Sequence, residues 1–588
     1  MNYPQMNAHK IKRSMVNAFK GYDHNLVTSD TTFYDMRNMS SDAYPAVVTR
    51  KNRGTVRQLS DARGIISKDA LYYIDGSSLY CNGEEIDNIT LNDELPKQMV
   101  SMGAYLVIFP DAVYVNTKNL TDCGSLGKKI TKENVTVSVT NSRQDGSEYE
   151  HLAVGNTAPQ TPAVGDYWID TSEDPSVLKL FTYEEVWSDV PTSYVTIRAV
   201  GIDDGFNKGD GVTITASNSF GGLLPMNNIG AYTNTFVIQA VHENSITVSG
   251  NMSAAQINTN ADITVERVIP RMDYVIESQN RLWGCYYGLS ESGEPLNEIY
   301  ASALGDPKNW RVYQGTSADS YAVSLGSDGV FTGAIAYQNR PVFFKENYIH
   351  VVYGDYPSNY TLNTTTARGI QEGSWRSAAI VSGVLYYKSP TDICAYDGSL
   401  PVSVSAQLGD VNYYNGVAGC KGSRLYMSLE DSKGTSHLFV LDAAKGVWSK
   451  EDNIRPTRFA GDSNELYFID TDNRIMAISG YAGTKEKRFT WSLTTNVQGF
   501  EDPNGKRLRQ VKLNMLMDEA SEATLEAMYD SSGEWCEIAS IEGAGRTKCS
   551  SVIFIPQLCD HFQLRLSGSG YMHLVSVVKS VIYGGEER

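Results

Sequence analysis

Along most of the chain, apolar runs of four or five residues alternate with brief turns rich in Gly, Asn, Asp and Ser. Runs such as Leu71-Tyr72-Tyr73-Ile74 and Tyr105-Leu106-Val107-Ile108-Phe109 are too short for helices, and their aromatic and β-branched content predicts strands. One phrase recurs: an apolar–aromatic strand, a turn, then a second strand. The first two copies are Leu71–Ile74 answered by Ser78-Leu79-Tyr80, and Tyr105–Phe109 answered by Ala112-Val113-Tyr114-Val115. Later copies open with Arg281-Leu282-Trp283, Pro341-Val342-Phe343, Val384-Leu385-Tyr386, Arg424-Leu425-Tyr426 and Glu465-Leu466-Tyr467. Counted from the Leu or its equivalent, they begin near 71, 106, 282, 342, 385, 425 and 466, and every gap but one lies between 35 and 60 residues. Paired strands at a period of ~40–50 residues are what a four-stranded propeller blade requires. Each blade hides one sheet face against each neighbour, so both of its faces must be apolar, which explains apolar runs without strict alternation. The pattern predicts about seven blades.

The exceptional gap, from 106 to 282, leaves room for an insertion. Within it, Gly165-Asp166-Tyr167-Trp168-Ile169-Asp170, Leu178-Lys179-Leu180-Phe181 and Trp187 predict a small hairpin module. Tyr194–Ile197, Gly211–Thr215, Thr235–Ile238 and Ser245–Val248 then alternate β-branched and polar residues, as in a small β-barrel or sandwich. After the last copy, 480–487 reads as a linker. Beyond it Val511–Met515, Ala523–Tyr529, His561–Leu566 and Met572–Val578 alternate with period two, the signature of sheets with one wet face. The expected fold is all-β: a propeller over 15–127 and 272–482, an inserted β region over 128–271, and a C-terminal β-sandwich over 488–588.

Composition agrees with this reading. The chain has 588 residues, enough for several domains, and its 50 Gly and 36 Tyr favour turns and strands over helices. No apolar run approaches the ~20 residues of a membrane-spanning helix, and Lys10, Lys12 and Arg13 are followed by no apolar leader core. The expectation is a soluble protein made in a cytoplasm. The 8 cysteines are scattered without C-x-x-C spacing, which predicts reduced thiols rather than a disulfide framework or zinc site.

Charge is uneven. The chain carries −18 overall, with +5 in residues 1–70 and −11 in residues 131–270. Gripping nucleic acid requires a dense basic patch, because affinity comes from releasing counterions from phosphates. No such patch is present. Acidic Asp203, Asp204 and Asp210, in turns of the insertion, are candidates for a collar that repels DNA from a channel or its exit. The same acidity on an outer wall would serve solubility alone.

Catalytic signatures are missing: there is no H-E-x-x-H, no G-x-x-x-x-G-K-[ST] and no nucleophile elbow. Asp442 with Gly446-Val447-Trp448 and Asp530 with Gly533-Glu534-Trp535 depart from the spacing of sialidase Asp-box turns. Asp319 and Asp328 read as turn residues. The eight histidines lack metal-ligand spacing. The sequence therefore predicts a non-enzymatic chain with no cofactor and no metal. Trp168 and Trp187 offer an alternative, as stacking platforms for a host glycan; the competing expectation is that they form the hairpin module's core. A propeller glycosidase is a further alternative.

Several phrases carry a resemblance. Asn280-Arg281-Leu282-Trp283-Gly284-Cys285, Ile299-Tyr300-Ala301-Ser302-Ala303-Leu304-Gly305-Asp306-Pro307-Lys308-Asn309-Trp310, Phe331-Thr332-Gly333-Ala334 and Phe343-Phe344-Lys345-Glu346-Asn347 are among them. So is the opening, Phe19-Lys20-Gly21 with Phe33-Tyr34-Asp35-Met36-Arg37-Asn38-Met39, Tyr44-Pro45 and Arg50-Lys51. Together they resemble the β-propeller tail proteins of tailed bacteriophages, the group that includes nozzle or packaged-DNA stabilisation proteins. The resemblance implies a structural virion protein, a subunit of a homo-oligomeric ring, usually of six copies, through which DNA exits without sequence-specific binding. It further implies contacts with portal or adaptor and other tail proteins, assembly in the host cytoplasm, and no membrane insertion.

Overall fold

The computed structural model describes residues 10–583 apart from 27, 218–222, 226–233, 291, 463, 501–503 and 556. The fold is all-β, and the described residues form strands with three single-turn 3-10 helices and no α-helix. Among the described residues no helix is long and apolar enough to cross a membrane. Two compact units are present: Met1–Glu85, Phe344–Ile349 and Thr365–Arg588 form one, and Ile86–Phe343 with His350–Thr364 the other.

Seven antiparallel sheets of blade type succeed one another among the described residues. They span 62–85, 98–125, 274–324, 333–366, 379–403 and 413–450, and the seventh combines 458–477 with 54–58 and 484–485. Each of the seven recurring phrases is the middle hairpin of a sheet. The second strands, among them Ala70–Asp75, Tyr105–Phe109 and Arg424–Asp431, are apolar on both faces because both faces are covered. Leu106, Val107 and Ile108 are fully buried, as are Leu425 and Met427. The seventh blade takes its next strand, Gly54–Gln58, from the start of the chain, paired with Arg474–Ala477. Gly54 is needed there: a Cβ would lie 1.9 Å from the Ala482 carbonyl oxygen.

The expected propeller start at residue 15 is corrected by this arrangement. Residues 10–49 belong to the C-terminal sandwich. Lys10–Val16 and Val47–Thr49 pair with Met572–Tyr583, whose other edge is held by Lys506–Met517 and then Thr547–Ile553. The second sheet runs Phe33–Arg37, Thr490–Thr495, Phe562–Ser569, Glu522–Tyr529, Cys536–Glu542. Its core follows the period-two pattern, with Val511, Leu513, Met515 and Met517 from one sheet meeting Ala523, Leu525 and Ala527 from the other.

In the second unit, the insertion is a closed barrel with an added module. Lys128–Ser142, Gln256–Arg267, Gly211–Ala216, Thr235–His242 and Ser245–Asn251 pair in that order, and Tyr194–Arg198 joins the last strand back to the first. Val137, Val139, Val195, Ile197, Ile238 and Val248 fill its interior. The four-stranded module at 152–189 is inserted between the barrel's first two strands in chain order, and its own first two strands run parallel.

Candidate functional site

A dense constellation of buried charge lies where the sandwich hands the chain to the seventh blade. Arg50 and Arg53 occupy the four residues between the strands Val47–Thr49 and Gly54–Gln58. The Arg53 side chain, 2% exposed, donates to Glu451 at 2.6 Å and to Asp452 at 2.7 Å. Those acids directly follow Val447–Lys450, the last strand of the sixth blade. Arg50 donates to Asn38 at 2.7 Å, forms an ion pair with Glu486 in the linker, and stacks over Phe489 at 4.2 Å. Glu486 in turn accepts the Arg53 backbone N–H at 2.9 Å. Burial by itself would raise the Asp452 pKa, but the Arg53 and Arg50 guanidiniums more than offset this and hold it below the usual carboxylate range.

Beside this network is a cavity of about 300 Å³, lined by Arg50, Lys421, Arg424, Asp442, Lys445 and Glu451 among others. Asp442, nearly fully buried, accepts from the Ser41 hydroxyl at 3.0 Å and pairs with Lys445 at 3.1 Å. Its second oxygen, Oδ1, has no protein partner. Arg424 pairs with Asp42 at 2.5 Å. Nearly every charge on this wall is already matched by another, so the site's evident chemistry is fastening. It ties the N-terminal segment, the linker and two blades into one electrostatic knot.

A second joint lies in the other unit and corrects one expectation. Asp210 is 4% exposed rather than displayed in a collar. Its carboxylate pairs with Arg267 at 2.6 Å, accepts from Asn309 Nδ2 at 3.1 Å and from the Asn207 N–H at 2.9 Å. Arg267 also donates to the Leu126 carbonyl at 2.9 Å, and Asn309 accepts the Gly211 N–H at 2.9 Å. The barrel is thereby seated on the loop that follows the third blade's third strand, Pro295–Ala301. Asp203 is likewise engaged, capping the Asn244 N–H at 3.1 Å. Asp204 alone of the three is well exposed, and Lys128 stands 3.4 Å from it. The three acids do not form one charged face.

Trp168 is 6% exposed and donates its Nε1–H to the Gly155 carbonyl at 3.0 Å. Trp187, half-buried, meets it edge-on at 5.6 Å and packs against Phe181 at 5.2 Å. With Lys179 over its ring at 5.5 Å, Trp168 is a core residue of the hairpin module and has no face to offer a sugar. Asp319 is a turn residue, accepting the N–H groups of Gln314 and Gly315 and the Thr316 hydroxyl.

The first strands of the blades are apolar or uncharged in cases such as Gln98–Met102, Gly333–Tyr337 and Ala379–Val381, and elsewhere carry the cations Arg63, Lys68, Lys421 and Arg458. Among their described residues one carboxylate occurs, Glu277, and it accepts the Asn280 N–H at 2.9 Å. No group of three or more His, Cys, Asp or Glu among the described residues could hold a metal ion, and the eight cysteines form no disulfide there. The arginine knot escaped the sequence reading. Its signal was available, in two arginines three apart facing an adjacent Glu-Asp pair, but nothing in the sequence brings positions ~400 apart together.

No family model matches the chain, and no curated protein matches it. Among solved structures it is similar to a glycoside hydrolase family 43 arabinoxylan arabinofuranohydrolase from Bacillus subtilis, at 9% identity over 53% of this chain and 95% of that one, with a TM-score of 0.16. It is also similar to a Trypanosoma rangeli sialidase, at 10% identity over 98% of this chain and 96% of that one, with a TM-score of 0.23. At these values the likeness concerns all-β architecture alone.

Proposed function

We propose that the chain is a structural subunit of a bacteriophage tail, a nozzle or hub that assembles as a ring around the path by which DNA leaves the particle. The observation that carries this reading is the fastening of the chain ends. The seventh blade contains strands from both ends of the repeat array, and the Arg50–Arg53 knot locks the linker and the N-terminal segment to the same place. A part that bears load needs this kind of closure, because force on the sandwich then reaches several blades at once and not a single connecting strand. The resembling phrases fall at joints that such a part would need: Arg281-Leu282-Trp283 opens a buried second strand, and Asp306 accepts from Asn309, which seats the barrel through Asp210. Net acidity of −18 suits a wall past which DNA slides without being held. Its partners on this reading are further copies of itself, a portal or adaptor, and other tail proteins.

The test is location. Cryo-electron microscopy of the virus particle that encodes the chain should place it in the tail as a closed ring. Finding it outside the tail, or as isolated copies on the particle surface, would overturn the reading.

A further inference from the structure

Two edge strands of the sandwich have equal length and opposite charge. Lys10–Val16 pairs on one side with Met572–Tyr583, and Cys536–Glu542 on one side with Glu522–Tyr529. Among the described residues no strand pairs with the outer side of either. The first reads Lys-Ile-Lys-Arg-Ser-Met-Val, with Ile11 42% and Met15 61% exposed. The second reads Cys-Glu-Ile-Ala-Ser-Ile-Glu, and both its glutamates are exposed. They lie on opposite flanks of the sandwich: the acidic strand runs next to Thr547–Ile553, the far edge of the sheet that Lys10–Val16 begins.

Charges on an edge strand ordinarily guard it against pairing. Here the guards differ in sign. Basic strand against basic strand, or acidic against acidic, places like charges side by side and is disfavoured, whereas basic against acidic is attractive. Of the other edge strands, Thr547–Ile553 carries Lys548 and no acid, and Phe33–Arg37 holds its one acid, Asp35, in an ion pair with Lys450 at 2.9 Å, so neither complements Lys12 and Arg13.

Resting on the reading of the chain as a ring-forming subunit, we propose that Lys10–Val16 of one copy adds to Cys536–Glu542 of a second copy as an antiparallel strand, a head-to-tail contact. The full seven-residue register places Ile11 opposite Ile541, Lys12 diagonal to Glu542, and Arg13 diagonal to Glu537. In that register Val16 and Ile541, each turned into its own core, occupy opposite faces of the joined sheet. Shifting by one residue would put both cores on the same side. Because the two edges differ, the contact is heterologous, the class that generates rings when the rotation closes. Main-chain hydrogen bonds supply the adhesion and the charges supply the choice of partner.

The experiment uses the purified full chain in analytical ultracentrifugation. Wild type should self-associate. Lys12→Glu with Arg13→Glu, and separately Glu537→Lys with Glu542→Lys, should each weaken association about tenfold or more, with circular dichroism and melting unchanged. Combining all four substitutions should restore association, a rescue that misfolding cannot produce. Association that neither pair of reversals weakens, or that the fourfold variant fails to recover, would overturn the contact even if the protein is found as a ring in tails. A chain monomeric at all concentrations would overturn it as well. Conversely, reversal and rescue in a protein absent from tails would support the contact while removing the tail reading.

Discussion

Arg53 and Asp452 stand 2.7 Å apart although 399 residues separate them along the chain. The pair joins the segment that enters the seventh blade to the segment that leaves the sixth. Its partner pair, Arg53 with Glu451 at 2.6 Å, is more deeply buried, with side chains 2% and 7% exposed. Replacing Arg53 by Met would leave two neighbouring acids, in a site with little water, to the longer contacts of Arg50 alone, 3.9 Å from Glu451 and 3.6 Å from Asp452. The expected loss is about 3–5 kcal/mol of unfolding free energy, read by urea denaturation. Arg53→Lys should recover part of it and no more, since an ammonium cannot reach both acids with a planar fork. An Arg53→Met protein as stable as wild type would remove the knot from any mechanical role.

The closing strand offers a steric test. A Cβ at Gly54 would meet the Ala482 carbonyl oxygen at 1.9 Å, so Gly54→Val should force Gly54–Gln58 off the seventh blade. Limited proteolysis should then cut near 54–58, with a stability loss of about 1–3 kcal/mol or more. Gly326→Val is the control. Its Cβ would meet nothing within 4 Å, and the change should stay within about 0.5 kcal/mol.

Why the middle hairpin of each blade was legible, and the rest was not, follows from burial. Strands such as Leu466–Ile469 are covered on both faces and must be apolar, so each leaves a run in the sequence. Outer strands such as Glu84–Glu85 and Val402–Ser403 are short and wet, and leave none. The sandwich's own strands were legible by period two, but its N-terminal contributors were not. Phe33–Arg37 carries no marker of its partner, because pairing with Thr490–Thr495 is decided over more than 450 residues. Asp210 misled for a related reason. A turn acid next to Gly reads as solvated, and only the fold brings Arg267 and Asn309 to it.

Asp210→Ala should destabilise the barrel's seat, because Arg267, 6% exposed, would be left buried with its main charge partner gone. A loss of about 3–5 kcal/mol is expected for removing one member of such a pair. Asp210→Leu combined with Arg267→Met should cost markedly less than the sum of the single changes, and a double-mutant cycle on thermal unfolding measures the difference. Additive losses would mean that the two residues do not act as a pair.

The hairpin module separates its two tryptophans. Trp168→Ala empties the centre of a small core and should cost about 3–5 kcal/mol locally, seen as proteolytic cleavage within 152–189. Trp187→Ala, at a half-buried position, should cost less. If instead both variants kept their protease resistance and lost binding to a glycan array, the stacking reading would be restored.

Lys388 gives the structure a titration of its own. The side chain is 2% exposed and its ammonium donates to the Ser389 carbonyl. Burial pushes its pKa down to about 8, against the opposing pull of Asp392 and Cys394. In the unfolded chain the same group titrates near ~10.4. Between these values the unfolded state binds the extra proton, so this residue's contribution to stability rises with pH from about 8 to about 10. Cys394 and Cys559, whose thiols burial raises to about 11, act in the opposite direction over part of that range. The wild-type curve alone therefore does not isolate the lysine. The difference between wild type and Lys388→Met does: wild type should gain about 1–3 kcal/mol relative to the variant between pH 7.5 and 10, measured by urea unfolding at each ~0.5 pH step. A difference that stays flat would show that Lys388 keeps an ordinary pKa, and that its hydrogen bond to Ser389 compensates the full cost of burying the charge.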